Sequence, residues 1–541
     1  MKKLLIGLFL IVCVFCIGFV GSPLRSKADT KPEVIEMEAG GGKMRLEVCA
    51  EDIIRVRYSP DQTFDEKDLN TFTVKKDWKP VDYTISEDDK KLTLETAKLK
   101  VEYDKTTETV SFMDKAGKVI LTEGGRVHQT TLNEKTTYYS IGQKFVSPQT
   151  EYLYGFGNVN DGVGLRNVTV NIDQNNTRKR TPMFFSNQGY GILFDITSNG
   201  SLTWPSSSAY QYTGNCTDSM DYYFFYGPEA DHVISGYRTV TGQATMLPKN
   251  AFGYVQSRNR YTSQQELLSV VDTFRQKKIP LDSIVIDYYW WNGDFNNILE
   301  WSGSWPNPAE MMQQLHDNNV SASISIWPSF RVGTKTFNTI NDAGFLFPTA
   351  SNFGQNYDPS SAEGRNFYWN MIKDSVWSKG LDSVWLDACE PETSNWVSNA
   401  NGEATAWGNS RIIGTMYPLL TNQGVYEGQR AIADNEKRVN TLSRGAVAGI
   451  QRYGIQSWSG DIAANWEQFR KEIAGVINFS AAGLPYFSTD TGGYFGIDVN
   501  NPDNREMFMR WLQFSTFNSI MRVHGTDCAK EPWQFGTQYE A

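Results

Sequence analysis

The chain has 541 residues, of which 40% are hydrophobic and 13% are aromatic. This length is enough for two to four globular domains, each with a large core. The net charge is −10 and no basic run is evident, so the sequence argues against a nucleic-acid partner.

Residues 1–28 predict a secretory signal peptide. Lys2 and Lys3 precede an apolar run over residues 4–20, and residues 26–28 offer small side chains where a signal peptidase cleaves. An uncleaved membrane anchor is the alternative, although the run is a little short for a spanning helix. We therefore expect a secreted or cell-surface bacterial protein that contacts a membrane only through this segment, if it is retained.

The cysteines and histidines give no pattern of a metal site. Outside the signal segment the chain has four cysteines: Cys49, Cys216, Cys389 and Cys528. They are far apart and lack both paired-ligand spacing and the pattern of a disulfide framework. We expect no metal and no cofactor, so any catalysis has to rest on carboxylates.

Residues 30–250 predict an N-terminal β-sandwich domain. Stretches such as "EDIIRVRYSP", "AKLKVEYD" and "GYGILFDIT" alternate apolar and polar residues, with turn residues between them. Residues 114–117, "DKAG", are typical of a hairpin turn. Several short alternating strands of this kind favour a sandwich.

Residues 251–541 predict a (β/α)₈ barrel, which makes the overall fold class α/β. Amphipathic stretches such as "SQQELLSVVDTFRQKK" and "PAEMMQQLHDNN" alternate with short apolar strands. Eight strands are predicted: "GYVQSR", "SIVIDYY", "ASISIW", "SVWLD", "RVNTLSR", "IQSWSGD", "LPYFSTD" and "SIMRVHG". We expect the barrel to be truncated after the eighth strand, without its final helix.

Several predicted strands end in polar or aromatic side chains. In "SVWLD", alternation directs Val384 and Leu386 toward the helices, and Trp385 and Asp387 toward the barrel axis. The carboxyl ends of barrel strands are where active sites lie. The other strand ends deliver Asp287, Trp327, Arg444, Asp461, Asp490 and His524.

Carboxylates gathered at one rim suit glycoside hydrolysis, which needs one ionised and one protonated carboxyl group. Mutual repulsion and unequal burial separate the pKa values of two such groups. Structural roles are the alternative: Asp387 as a helix N-cap, Asp461 as a turn residue and His524 as a core histidine. The residues alone do not rank Asp461 above Asp490 as the acid.

The order of motifs resembles glycoside hydrolase family 31, whose members are retaining enzymes acting on α-glycosides. The resemblance covers the chain from the β domain to its C-terminal end, and the motifs, in chain order, are "YGFG", "GYVQSRNRYTS", "IPLDSIVID", "VWLDACEPE", "TLSRGAVAGIQRYG", "WSGDIAANWE", "STDTGGYFG" and "RVHGTD". Within the family, "SISIWPSF" and "YEGQR" are similar to bacterial α-xylosidases. From this resemblance we expect the C-terminal part of the family architecture to be missing.

The resemblance implies catalytic roles by position. Asp387 matches the nucleophile, and Asp461, in "WSGD", matches the acid/base. Arg444 matches a substrate-binding arginine beside the acid/base. Glu390 is expected to fix its loop through hydrogen bonds. For a retaining pair we expect the carboxyls of Asp387 and Asp461 to lie about 5–6 Å apart.

The resemblance also implies a sugar-binding set. His524 matches a ligand for a sugar hydroxyl, O2, and Asp287 matches the aspartate that holds O4. The aromatic walls of the −1 subsite match Trp327, Trp385, Trp458 and Tyr494. An oligosaccharide is therefore the expected substrate, and Asp490 is expected to be structural.

The substrate sugar is less determined than the mechanism. Where the α-xylosidases would show a "DWQYW"-like run, this chain has "DYYWW". Xylose and glucose differ by one CH₂OH group, and a hydrophobic pocket discriminates between such neighbours by only about 1–3 kcal/mol. We expect one or two of the loop tryptophans to form a sugar platform and the others to be core residues: Trp290, Trp291, Trp301 and Trp305. The alternatives are an α-glucosidase, an α-galactosidase, a transglycosylase of the same family, or a non-catalytic carbohydrate-binding barrel.

Overall fold

The computed structural model describes residues 24–26, 34–64, 72–75, 78–134, 136–291, 298–350, 354–392, 396, 402–432 and 437–536. The predicted signal peptide lies outside the described residues, apart from the short strand Leu24–Ser26. Among the described residues, no helix combines the length and the apolar character that crossing a membrane requires.

The N-terminal part consists of antiparallel strands. Its strands, in chain order, are β1 (Leu24–Ser26), β2 (Val34–Ala39), β3 (Gly42–Ala50), β4 (Ile53–Ser59), β5 (Tyr83–Glu87), β6 (Lys91–Glu95), β7 (Leu99–Asp104), β8 (Thr109–Asp114), β9 (Val119–Asn133), β10 (Thr137–Val146), β11 (Leu153–Gly157), β12 (Val170–Ile172), β13 (Gln174–Asn175), β14 (Arg178–Ser186), β15 (Tyr190–Phe194), β16 (Gly200–Ser206), β17 (Ala209–Thr217) and β18 (Met220–Tyr226). They form a ten-stranded sheet in the order β1-β5-β6-β7-β8-β9-β10-β17-β16-β12 and a second sheet in the order β11-β14-β15-β18-β4-β3-β2, with β13 paired to β14. This agrees with the predicted sandwich-like domain.

The sandwich core forms because alternate residues of the two sheets face each other. In β7 every second residue is buried, and Phe112 of β8 stacks on Phe224 of β18 with ring centroids 4.0 Å apart. The predicted hairpin at residues 114–117 is confirmed. The Asp114 carboxylate accepts hydrogen bonds from the backbone N–H groups of Ala116 and Lys118, both at 2.9 Å.

Helix α1 (Ala230–Thr241) leads into a parallel sheet of eight strands. The strands are β19 (Tyr254–Gln256), β20 (Ser283–Ile286), β21 (Ser321–Ile326), β24 (Ser383–Leu386), β27 (Thr441–Ser443), β28 (Ile455–Trp458), β29 (Phe487–Ser488) and β30 (Met521–Val523). Seven of them lie within the predicted strands, and β21 begins one residue before the predicted "ASISIW". Among the described residues, two small antiparallel pairs of strands lie outside this sheet: β22 (Ser329–Phe330) with β23 (Gln355–Asn356), and β25 (Ala404–Thr405) with β26 (Gly408–Asn409).

Seven helices connect the barrel strands: α2 (Gln264–Lys277), α3 (Pro308–Asp317), α4 (Lys335–Asp342), α5 (Ala362–Ser375), α6 (Tyr417–Arg430), α7 (Trp466–Ala481) and α8 (Pro502–Ser515). The two helices predicted from amphipathic stretches correspond to α2 and α3. Between β27 and β28 the only helical element among the described residues is the 3₁₀ turn Ile450–Tyr453. Other 3₁₀ turns are Lys249–Phe252, Trp377–Lys379 and Pro532–Phe535.

The barrel sheet is nearly closed. Its strand order runs β29-β28-β27-β24-β21-β20-β19-β30, so the first and last strands of the chain's barrel lie side by side. An isolated parallel bridge between Thr491 and Val523 connects the remaining gap. The carboxyl ends of all these strands therefore face one rim.

The barrel interior follows the predicted alternation. Val384 and Leu386 belong to the hydrophobic core that includes the surrounding helices. Trp385 instead packs inside the barrel, in a small cluster whose members are Val255, Val285, Trp385, Leu442 and Trp458. The Arg522 guanidinium, also buried, lies 4.7 Å from the centre of the Trp385 ring and is paired with Asp490.

Candidate active site

A cavity of about 300 Å³ opens at the carboxyl ends of the barrel strands. It is lined by Asp287, Tyr288, Trp327, Trp385, Asp387, Glu392, Arg444, Asp461, Tyr494 and His524. Eight of the nine predicted site residues therefore lie at one cavity, because their strands end on the same rim.

Asp387 lies at the end of β24, with only 7% of its surface exposed. Its backbone N–H donates to the Ile326 carbonyl at 3.0 Å, and one carboxylate oxygen accepts from the Ala388 N–H at 2.9 Å. The pKa of Asp387 is raised to about 6, chiefly by burial and also by the nearby charge of Asp461, while Arg444 opposes the rise. The carboxyl group is thus ionised at neutral pH and protonated in mild acid.

Arg444 binds a group of three carboxylates. Its guanidinium lies 3.1 Å from Asp387 Oδ1 and 3.0 Å from Glu390 Oε1, and it is also paired with Glu392. Burial raises the pKa of Glu390 to about 7. The contact between Glu390 and Arg444 agrees with the expected role of Glu390 in fixing the loop after Asp387, because it ties that loop to a buried arginine.

The position of Arg444 differs from the expectation that it lies beside the acid/base. Its backbone N–H donates to the Leu386 carbonyl, since β27 pairs directly with β24. The side chain therefore reaches Asp387, on the neighbouring strand. Arg444 and Asp461 still line the same cavity.

Asp461 lies on the loop after β28, and a residue of the N-terminal domain holds it. The Asn176 side chain donates from Nδ2 to Asp461 Oδ2 at 2.7 Å, and its Oδ1 accepts from the Asp461 backbone N–H at 2.9 Å. Gly460 permits this approach, because a side chain there would collide with the Asn176 carbonyl oxygen. The backbone φ of Gly460 is +85°, a conformation that also favours glycine.

Asp287 and His524 form a polar pair on another side of the cavity, with Oδ2 and Nε2 separated by 3.8 Å. The Ser257 hydroxyl hydrogen-bonds His524 Nδ1 at 2.8 Å, and the Tyr494 ring lies almost parallel to the imidazole at 5.3 Å. Burial lowers the pKa of His524 well below its usual value, so the ring is neutral. Burial raises the pKa of Asp287. Both groups can exchange hydrogen bonds with hydroxyl groups.

Known families match both parts of the chain. The family model described as the glycosyl hydrolases family 31 TIM-barrel domain matches residues 244–541. The chain belongs to glycoside hydrolase family 31. A second model, the glycosyl hydrolase 31 N-terminal galactose mutarotase-like domain, matches residues 43–202.

Two curated relatives of this family 31 chain are α-xylosidases. The Alpha-xylosidase of Saccharolobus solfataricus is 38% identical over 422 residues, which are 75% of this chain and 57% of the relative. Alpha-xylosidase A of Aspergillus niger is 26% identical over 446 residues, covering 74% of this chain and 60% of the relative. The chain thus spans about three fifths of the length of these relatives.

Solved structures of family 31 share the fold. A GH31 alpha-xylosidase from Xanthomonas citri superposes with a TM-score of 0.86 at 26% identity, covering 95% of this chain and 75% of that one. A GH31 alpha-xylosidase from a soil metagenome, complexed with xylose, gives a TM-score of 0.87 at 24% identity, covering 95% and 82%. The latter likeness shows the fold alone.

Trp458 is the one predicted site residue that does not line the family 31 cavity. It is 1% exposed and lies beneath Trp385, edge to face at 5.4 Å. It ends β28 with its side chain inside the barrel, so Trp385 separates it from the cavity. The prediction that Trp458 forms an aromatic wall of the −1 subsite is wrong. Its ring instead packs against Trp385, which does line the cavity.

The tryptophans of the "DYYWW" loop also differ from the prediction. Trp290, Trp291 and Trp305 are at most 2% exposed, and Trp301 packs against the same core. None of these four lines the cavity in the described part of the chain, so the predicted platform is wrong for them; residues 292–297 lie outside that part.

Two cavity-lining residues and one supporting residue were missed. Tyr288 immediately follows Asp287, and Glu392 follows Asp387 by five positions, so proximity to the motifs was the available signal. Asn176 had no such signal. It lies 285 positions from Asp461, in a different domain, and only folding brings the two together.

Proposed function

We propose that this chain is a retaining α-glycosidase, and specifically an α-xylosidase that releases non-reducing-end α-xylosyl residues from oligosaccharides. The observation that carries the proposal is that Asp387 and Asp461 line one cavity, with a buried arginine against Asp387. Family membership and the α-xylosidases among the relatives support the choice of bond and sugar. We also propose that the nearly closed sheet is a (β/α)₈ barrel.

The proposed mechanism is a double displacement. Asp387 attacks the anomeric carbon while Asp461 protonates the departing oxygen, which forms a covalent glycosyl ester. Esterification removes the charge of Asp387. Asp461 then accepts a proton from water as its oxygen attacks the anomeric carbon. The bond from that carbon to Asp387 breaks, which frees the carboxylate and releases the sugar with retained configuration.

Asp287 and His524 bind sugar hydroxyl groups in this proposal, and Trp327, Trp385 and Tyr494 enclose the ring. The carboxyl separation of about 5–6 Å stays a prediction. A second cavity of about 550 Å³ borders the first through Glu392 and is lined by residues of the β13–β14 hairpin. Its polar lining suits the leaving sugar of an oligosaccharide.

A panel of p-nitrophenyl α-glycosides tests the proposed substrate. We expect kcat/KM for the α-xyloside to exceed that for the α-glucoside and the α-galactoside by roughly tenfold or more. A higher value for the α-glucoside would favour the α-glucosidase alternative. That alternative has support from Alpha-glucosidase 2 of Bacillus thermoamyloliquefaciens, which aligns with 94% of this chain at 25% identity. Sugar binding without release from any substrate would instead indicate a binding protein.

The pH dependence of kcat/KM tests the nucleophile. Because the pKa of Asp387 is raised to about 6, activity should rise with pH through an acid limb near pH 6. The charge of Glu392 contributes to this raised pKa. Glu392→Gln should therefore move the acid limb to lower pH, and an acid limb near pH 4 in the unmodified chain would contradict the assignment.

A further inference from the structure

The β13–β14 hairpin extends from the N-terminal domain to the barrel rim. Its turn is fixed locally, because the Asn175 side chain accepts hydrogen bonds from the backbone N–H groups of Thr177 and Arg178, at 3.1 and 2.9 Å. Asn176 lies between these residues, at the tip. Its side chain is therefore not needed for the turn and is directed to Asp461.

The two hydrogen bonds between Asn176 and Asp461 define the orientation of the amide. The Asp461 backbone N–H can only donate, so the atom that receives it must be the amide oxygen. The amide NH₂ group then faces the Asp461 carboxyl, and donates to Oδ2 at 2.7 Å. Asp461 Oδ1 has no hydrogen-bond partner among the described residues, which leaves it available to a substrate.

Lys179 holds the tip of the β13–β14 hairpin through the Asn176 backbone. It is fully buried on β14, its ammonium donates to the Asn176 carbonyl oxygen, and it lies 5.2 Å from the centre of the Trp458 ring. The carbonyl that receives this bond is the one that Gly460 leaves room for. Both ends of Asn176, backbone and side chain, are thus held in place.

We propose that Asn176 is a positioning residue for the acid/base: it orients Asp461 so that Oδ1 faces the oxygen of the departing group. This inference rests on the proposed function. A carboxyl group held by one oxygen transfers its proton from a defined position, which matters most for leaving groups that need protonation.

Acidic and basic groups both lie close enough to Asp461 to interact with it electrostatically. Electrostatic interactions link it to the following groups: Asp287, Asp387, Asp490, Lys179, Arg444 and Tyr494. Asn176 adds the donated hydrogen bond to this set. Replacing that donor by an acceptor removes this contact and places a second carboxylate against Asp461 Oδ2.

Asn176→Asp tests the inference, because aspartate has almost the same shape and keeps the oxygen that accepts from the Asp461 N–H. We expect kcat/KM at the pH optimum to fall roughly 10- to 100-fold for an α-xylosyl disaccharide, and less for p-nitrophenyl α-xyloside. The good leaving group of the latter needs little protonation.

Asn158→Asp is the matched control. Asn158 binds the same hairpin through the Thr177 carbonyl and the Lys179 N–H, at 3.0 and 2.8 Å. It lines neither cavity. Its change should therefore leave the ratio of kcat/KM between the two substrates unaltered, even if the unfolding midpoint falls.

An unchanged substrate ratio in Asn176→Asp would overturn the inference, and would leave Asn176 as a docking contact. A ratio that changes equally in Asn158→Asp would overturn it too, since hairpin placement alone would explain the change. Absence of turnover in the unmodified chain is a different result. It would overturn the proposed function, and this inference with it.

Discussion

Replacing Asp387 with asparagine is expected to reduce turnover of the α-xyloside by about four orders of magnitude or more. The amide cannot form the glycosyl ester, and its shape leaves the cavity intact. Steady-state kinetics with p-nitrophenyl α-xyloside measures the loss. A variant that keeps full turnover would show that another group is the nucleophile.

The same substitution should increase stability at alkaline pH. The pKa of Asp387 is raised from 3.8 to about 6 on folding, so its favourable contribution is complete below pH 3.8 and is lost as pH rises through 6. Asparagine mimics the protonated acid at every pH. In denaturant titrations, the gain of the variant over the unmodified chain should therefore be larger at pH 8 than at pH 4.5, by about 2 kcal/mol.

Asp382→Asn is the control at the opposite end of the same strand. Asp382 lies before β24, where it binds His316 and Lys437, both at 2.8 Å. These partners lower the pKa of Asp382 despite burial. Its loss should reduce stability at neutral pH and leave the chemistry intact, so an equal loss of turnover in both variants would contradict a specific role of Asp387.

Replacing Arg444 with methionine is expected to lower the free energy of unfolding by about 3–5 kcal/mol at pH 7. Arg444 is 3% exposed and neutralises the adjacent carboxylates of Asp387, Glu390 and Glu392. Without it, buried acids repel each other and Asp387 is harder to ionise, because Arg444 opposes the rise of its pKa. Denaturant titration measures the first effect, and an acid limb moved to higher pH reports the second.

Arg178→Met provides the comparison for Arg444. Arg178 also forms a paired contact, with Asp173 at 2.7 Å, but its side chain is 40% exposed. Water screens such a pair, so its loss should change stability by about 1 kcal/mol or less. Similar losses in the two variants would mean that the carboxylates around Arg444 relax or take up protons without cost.

Local sequence patterns predicted the strands and most of the site because both depend on short-range rules. Alternation places Trp385 inside the barrel and Val384 outside it, and Asp387 follows at the rim. The family resemblance, in turn, ranked Asp461 above Asp490. The structure agrees that Asp490 has a structural contact, since it is fully buried against Arg522.

What sequence could not predict depends on which elements become neighbours. Arg444 reaches Asp387 because β27 pairs with β24, and Trp458 lies beneath Trp385 because of how the rings pack across the interior. The contact of Asn176 with Asp461 joins two domains. Such contacts carry no periodic signal in the sequence.

The buried pair of Arg522 and Asp490 has a consequence for assembly. Asp490 follows β29 and Arg522 is on β30, the last strand of the barrel. The Arg522 guanidinium therefore neutralises a carboxylate that the preceding strand positions. A barrel without β30 would leave the Asp490 carboxylate without the cation that neutralises it, which is strongly unfavourable in a buried position. The docking of β30 is thereby coupled to the placement of Asp490 after β29.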